Sequence, residues 1–306
     1  MIEEDGPTRR WRRNGVDDLL AIARRMPWDY GADVARAITA SLVDDDYVQG
    51  PLDNPWRVAN NIKWLDRAVA TDALKALLAR HPANHVALQD PGGIAQLLGA
   101  LRRLNGPAAA ESHQVLLARR PEEHVSTSDA GGLARLLNEL LKVDAREAVV
   151  TLVQRIIANF EVSDAMGAAA LLRALRKANA GDITDLARLA AGQVNLTEPD
   201  GAAELLEMLA KLHLPEVTRD VARRAAQQAV LDNTYDVARL LDAVNGSGAS
   251  QALPALANRA ANTGYYAPLV KRGLADDFAF GREPDGTASR PWTWHDLCFV
   301  GLMGKP

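Results

Sequence analysis

The sequence predicts an all-α fold, a right-handed αα-superhelix (α-solenoid) of about six to seven helical hairpins with aromatic-rich caps at both ends. Three observations carry that expectation. The stretch HPANHVALQDPGGIAQLLGAL, residues 81–101, returns as RPEEHVSTSDAGGLARLLNEL at 120–140, 39 residues on. A Leu-Leu pair recurs at Leu97-Leu98, Leu136-Leu137, Leu171-Leu172, Leu205-Leu206 and Leu240-Leu241, with spacings of 39, 35, 34 and 35. A fixed period of this size marks a structural unit that cannot bury its apolar face alone and stacks on its neighbours. The third is aromatic placement. Trp11, Trp28, Trp56, Trp64, Trp292 and Trp294 all lie outside the middle of the chain, where bulky side chains cover the raw ends of an array.

Taken in chain order, GVDDLLAIARRM with GADVARAITASLV reads as a first hairpin, and 1–64 as an N-terminal cap with degenerate first repeats. DNPWRVANNIKWLDRAVATDALKALLAR is a degenerate unit, its Val58, Ile62 and Leu65 matching Ile94, Leu98 and Leu101. The tandem hairpins then occupy 65–262. Their first helices start at Asp90-Pro91, Asp129-Ala130, Asp164-Ala165 and Glu198-Pro199, with a looser start around Asn233-Thr234. An acidic residue at the N-cap accepts a backbone N–H, and proline at the first helical position sacrifices no hydrogen bond. Breakers at Asn105-Gly106, Ala180-Gly181, Leu214-Pro215 and Asn245-Gly246 end these helices, glycine taking the turns. Second helices follow as ESHQVLLARR, AVVTLVQRII, ITDLARLAAGQV, VTRDVARRAAQQ and ALPALANRAA, each with one apolar stripe at i, i+3, i+4, i+7. No stretch alternates as a strand does. Residues 263–306 form a C-terminal capping segment in which Pro284, Gly286 and Pro291 force turns.

The units ARRPEEHVSTSDAGGLARLLNELL and the ending FGREPDGTASRPWTWHDL resemble a group of bacterial tandem helical-hairpin proteins of the HEAT, armadillo and tetratricopeptide-like kind. In that group the repeat reads Ala-Arg-x-Pro-x-x-His-Val, then Asp-Pro-Gly and a Leu-Leu helix, and a Gly-Arg-Glu-Pro-Asp-Gly…Pro-Trp-x-Trp tail closes the array. The resemblance spans about residues 72–298; from 142 onward the Pro-x-x-His turn is missing. It implies a helical-repeat fold and membership of a larger signalling or defence assembly. It carries no active site.

Composition excludes several classes. Net charge is −4 and the pI about 5.9, giving no overall pull toward nucleic acid or anionic membrane. Cys298 is the single cysteine, so neither an intrachain disulfide nor a cysteine-rich zinc site is expected. The N-terminus MIEEDGPTRRWRRNGVDDLL has no apolar core, and no run of about 18 apolar residues occurs. A cytoplasmic protein with no cofactor or metal is the expectation. His81, His85, His113 and His124 cluster in sequence, but His85 and His124 occupy equivalent positions in successive repeats, which suits turn residues better than a zinc site. HDLC, ending at Cys298, lacks the separated partners of a cysteine protease.

The candidate partner-binding residues are Arg80, Arg119 and Arg155, near the ends of second helices, and Arg282, Asp285, Trp292, Trp294 and His295 in the tail. The arginines read either as a basic ladder or as cations offsetting a helix macrodipole. A non-enzymatic scaffold that binds a protein partner is the leading expectation. Two alternatives stay open. One is a nucleic-acid-binding or base-processing repeat protein using TRRWRR, residues 8–13, and the arginines. The other is a small-molecule enzyme or sensor with its pocket under the C-terminal flap.

Overall fold

The computed structural model describes residues 46–67, 70–181 and 183–274. Among them the chain is helical throughout, with no strand; one isolated parallel bridge joins Asp164 and Asn195. The tail residues Arg282, Asp285, Trp292, Trp294, His295 and Cys298, the N-terminal Trp11 and Trp28, TRRWRR and the first hairpin lie outside the described residues. By internal contacts the chain divides into two compact units, residues 1–126 with 135–152, and 127–134 with 153–306.

In the first unit, the short α1 (Asp46–Gln49) precedes the hairpin of α2 (Pro55–Arg67) and α3 (Thr71–Ala79). A single turn, α4 (Pro82–His85), leads into α5 (Pro91–Arg103) and α6 (Pro107–Ala118), and a second single turn, α7 (Pro121–His124), follows. The first helices α2 and α5 pack side by side, and each packs on its own second helix. Residues 135–142 of α8 (Ala130–Lys142) and 146–152 of α9 (Arg146–Ala158) complete this unit. The second unit holds the remainder of α8 and α9, then α10 (Ala165–Lys177), α11 (Ile183–Gln193), α12 (Pro199–Lys211), α13 (Pro215–Gln228), α14 (Thr234–Gly246), α15 (Leu253–Asn262) and α16 (Tyr266–Lys271). Here α12 lies between α10 and α14 and also packs on α13.

The Leu-Leu pairs are the core of this arrangement. Leu97, Leu98, Leu136, Leu137, Leu171, Leu172, Leu205, Leu206, Leu240 and Leu241 are all at most 1% exposed. The one-turn helices explain the uneven period. PANH and PEEH each start from a left-handed residue, His81 (φ 49) and Arg120 (φ 51), and add about one turn after the second helix. Units lacking Pro-x-x-His lack that turn, which shortens the step from 39 to 34–35 residues.

Capping follows the sequence at most starts. Asp90 accepts from the Gly93 N–H at 2.9 Å, Asp129 from Gly132 at 2.8 Å, and Asp164 from Gly167 at 2.6 Å. Two starts differ. Glu198 makes no side-chain cap, its longer stem being ill-suited to reach back to its own turn. Asn233 caps fully, accepting from Asp236 at 2.9 Å.

The helix ends also differ from expectation. The left-handed residue after α8, α10 and α12 is Asp144 (φ 52), Asn179 (φ 55) and His213 (φ 56), not glycine. Each sits in a Schellman turn, closed by the N–H of Ala145 on Leu140, of Ala180 on Leu175 and of Leu214 on Leu209. Asn and Asp tolerate this conformation because their short polar side chains bond locally.

Candidate functional site

Each of the six first helices α2, α5, α8, α10, α12 and α14 is 13 residues long. Positions 2, 6, 9 and 13 of such a helix share one face, because i, i+4, i+7 and i+11 fall on a single stripe. In α2 that stripe is Trp56, Asn60, Lys63 and Arg67; in α5, Gly92, Gln96, Gly99 and Arg103; in α8, Gly131, Arg135, Asn138 and Lys142. In α10 it is Met166, Ala170, Arg173 and Lys177; in α12, Asp200, Glu204, Glu207 and Lys211; in α14, Tyr235, Arg239, Asp242 and Gly246. Gly92 and Gly99 of α5 are buried, and the other stripe residues are half-buried or exposed. The packing positions repeat from unit to unit and this stripe does not.

Position 13 is an exception to that variety. Arg67, Arg103, Lys142, Lys177 and Lys211 end five successive first helices with a cation, each offsetting its own macrodipole. A terminal cation is therefore common to five first helices. It was legible in the sequence once the Leu-Leu pairs were aligned, since position 13 follows each pair by five residues.

The arginines of the second helices have a different place. Arg80 donates to the carbonyls of Val48 and, at 3.0 Å, Gly50. Arg119 donates to the Ala83 carbonyl at 2.6 Å. Arg224 reaches Ala191 and, at 3.0 Å, Val194; Arg259 reaches Ala226 and Ala229, both at 2.7 Å. Every one of these acceptors lies 30–36 residues upstream. In the Arg224 and Arg259 cases they are the open carbonyls at the end of the preceding second helix. The macrodipole being offset thus belongs to the neighbouring repeat, and the arginine fastens one hairpin to the last. Arg155 stands in the last turn of α9. Arg80 also lines an open cavity of about 420 Å³ with Leu52, Asp53 and His85.

Replacing Arg259 by methionine is expected to cost about 1–3 kcal/mol, because two buried-side carbonyls lose charged donors together. Arg188→Met removes only an exposed pair with Asp185 at 2.8 Å and is expected to cost about 0.5 kcal/mol or less. Urea midpoints of the two variants check the difference.

Comparison with family models, with curated proteins and with solved structures returns no match.

The stripe differs electrostatically between the two units. In the second unit its charges pair with one another. Glu204 accepts from both Arg173 and Arg239, Arg239 also stands 2.7 Å from Asp200, and Arg272 holds Asp242 through two contacts of 2.6 Å. The Arg173 hydrogen bond holds Glu204 below the usual carboxylate range; burial opposes this, and the charges of Arg173 and Arg239 add to it. In the first unit cations predominate. Glu139 meets Arg102 at 3.3 Å and Lys142 at 2.6 Å, and its carboxylate lies over Gly99. Trp56 rests against Gly93 of α5, and the Arg135 guanidinium sits 5.5 Å from its ring centroid, a cation–π distance.

His113 of α6 faces the same cluster. Burial first, then the Arg102 charge, hold its pKa below the ordinary 6.5, with Glu139 acting in the opposite sense. A depressed imidazole lets the unfolded chain bind a proton that the folded chain resists. Stability is therefore greatest above about pH 6.5 and falls as pH drops through the folded value. His113→Gln is expected to flatten that part of the curve, read as the midpoint of urea unfolding between about pH 7 and 5.

Among the described residues, no group of three or more His, Cys, Asp or Glu is placed to hold a metal, and no helix is long and apolar enough to cross a membrane.

Proposed function

We propose that the chain is a non-enzymatic α-solenoid scaffold that binds a protein partner through the outward stripe of its first helices. The supporting observation is the contrast between packing and stripe positions. The buried Leu-Leu pair is the same in five of the six first helices, α2 carrying Asn61-Ile62 instead, whereas position 2 runs Trp, Gly, Gly, Met, Asp, Tyr and position 6 runs Asn, Gln, Arg, Ala, Glu, Arg. In a helical array, residues freed from packing are the ones available for recognition. Met166 and Tyr235, 37% and 67% exposed at equivalent positions of α10 and α14, suit an apolar contact. Arg80 and Arg119 serve this reading as fasteners between hairpins. The resemblance described above supports a partner within a bacterial signalling or defence assembly.

The test is affinity capture from the host lysate by the full chain, by Met166→Ala/Tyr235→Ala, and by Val150→Ala/Leu189→Ala on second helices. A protein retained by wild type and by the second-helix variant, and lost from the stripe variant, supports the reading. Retention that follows the second-helix variant moves the surface. Nothing retained above a charge-matched control overturns it.

A further inference from the structure

We propose that the end of α9, with Ile157, Glu161 and Leu189, forms a docking point for an arginine side chain of a partner protein, separate from the outward stripe of the first helices. The second unit breaks its own arginine pattern here. Leu186, Val221 and Leu256 fill one buried position of α11, α13 and α15, and Ala190, Ala225 and Ala260 fill another. In that register the fastening arginines Arg224 and Arg259 are matched on α11 by Leu189, 35 residues before Arg224. Leu189 is exposed and its side chain has no donor to offer.

The carbonyls that Arg224 and Arg259 close belong to Ala191 with Val194 and to Ala226 with Ala229. One step earlier their counterparts are Ile157 and Phe160, 34 residues before Ala191 and Val194. Two features fix that match. Ile156 and Phe160 are buried, as Ala190 and Val194 are. The Asn195 N–H donates to the Ser163 carbonyl at 2.9 Å, just as Val230 donates to Thr197 at 2.8 Å in the next step. Among the described residues, neither the Ile157 nor the Phe160 carbonyl accepts a hydrogen bond. Asn159 turns its backbone and side-chain N–H groups onto the Arg155 carbonyl instead, each at 3.1 Å.

The surroundings suit a guanidinium. Carbonyls at the end of α9 carry the negative end of its macrodipole. Glu161 adds an exposed carboxylate directly after Phe160, where the later repeats have Asn195 and Val230. Among the described residues it has no ion-pair partner. Arg188, beside Leu189, is held by Asp185 at 2.8 Å. Ile157 is exposed like Leu189, whereas its counterparts Ala191 and Ala226 are buried. An arginine brings an apolar stem for those two side chains and a planar fork for the two carbonyls. Arg224 already divides its two terminal nitrogens in this way between Ala191 and Val194. Lysine carries a point charge without the fork.

Amide NMR shifts of the full chain, titrated with the peptide acetyl-Gly-Leu-Arg-Leu-Gly-amide, test the assignment. Saturable shifts are expected at residues 157–162 and 189–193. Citrulline in place of the peptide's arginine keeps the shape without the charge and is expected to weaken binding about tenfold. Lysine there is expected to weaken it about threefold. Leu189→Arg supplies the side chain from within. It is expected to raise the urea midpoint by about 0.5 M and to weaken the peptide about tenfold. No saturable shift, or equal affinity for the citrulline or lysine peptide, overturns the proposal. So does a Leu189→Arg chain that loses the peptide without gaining stability, since charge repulsion alone does that. A chain that gains stability and still binds the peptide overturns it as well. Shifts confined to the first-helix stripe sink this inference and leave the scaffold reading standing.

Discussion

Leu206→Ala is expected to lower the unfolding free energy by about 2–5 kcal/mol. Leu206 belongs to α12, which has α10 on one side, α14 on the other and α13 behind it. Its side chain is 0% exposed. Truncation removes the transfer free energy of three carbons and leaves a hole that three neighbouring helices must close together. Helices fixed on both sides relax little, which places the expected loss in the upper part of that range. Leu189→Ala is the matched control. Leu189 lies on α11 and is 45% exposed, so the same chemical change is expected to stay within about 0.5 kcal/mol. Equilibrium urea unfolding of both variants reads the difference as a shift of midpoint. If Leu206→Ala lowers the slope instead, the repeats around α12 are unfolding apart from the rest, as nearest-neighbour arrays can.

The leucine pairs and the Asp caps were legible because both are local chemistry repeated at a fixed period. Leu206 announces itself through Leu98, Leu137, Leu172 and Leu241, and Asp164 through Asp90 and Asp129. What failed to show was chemistry shared between repeats. Arg224 and Arg259 look like cations at the ends of their own helices, yet their donors close carbonyls more than one helix back in the chain. No spacing rule within one helix predicts that. The turn residues were hidden for a different reason. Gly181 and Gly246 each stand two residues from the true left-handed positions, Asn179 and Gly248, so a rule that assigns the turn to those glycines slips by two residues. The first-helix stripe was hidden by its own variety, since a search for sameness finds the core and passes over the surface that differs.

Glycine supplies the second large effect, and its sign depends wholly on place. Gly201, at position 3 of α12, is expected to tolerate no larger residue: Gly201→Val is expected to cost roughly 3 kcal/mol. A Cβ there would stand 3.0 Å from the Met166 backbone nitrogen and 3.3 Å from the Ala165 Cβ. The obstructing nitrogen belongs to the first turn of α10, so relief requires moving a helix, not turning a side chain. Gly167 meets α8 in the same manner, 3.2 Å from the Gly131 nitrogen, and Gly93 meets Pro55 and Trp56 of α2. Gly93, Gly167 and Gly201, each the third residue of its helix, thus set how closely that first helix approaches the one before it. Gly192, near the end of α11, has nothing within 4 Å of its would-be Cβ. Gly192→Ala is therefore expected to stabilise the fold by about 0.5 kcal/mol through helix propensity alone. Thermal and urea unfolding of the two variants, measured side by side, should move in opposite directions; a neutral Gly201→Val would mean that the first helices can separate without loss, and that their close approach does not hold the array together.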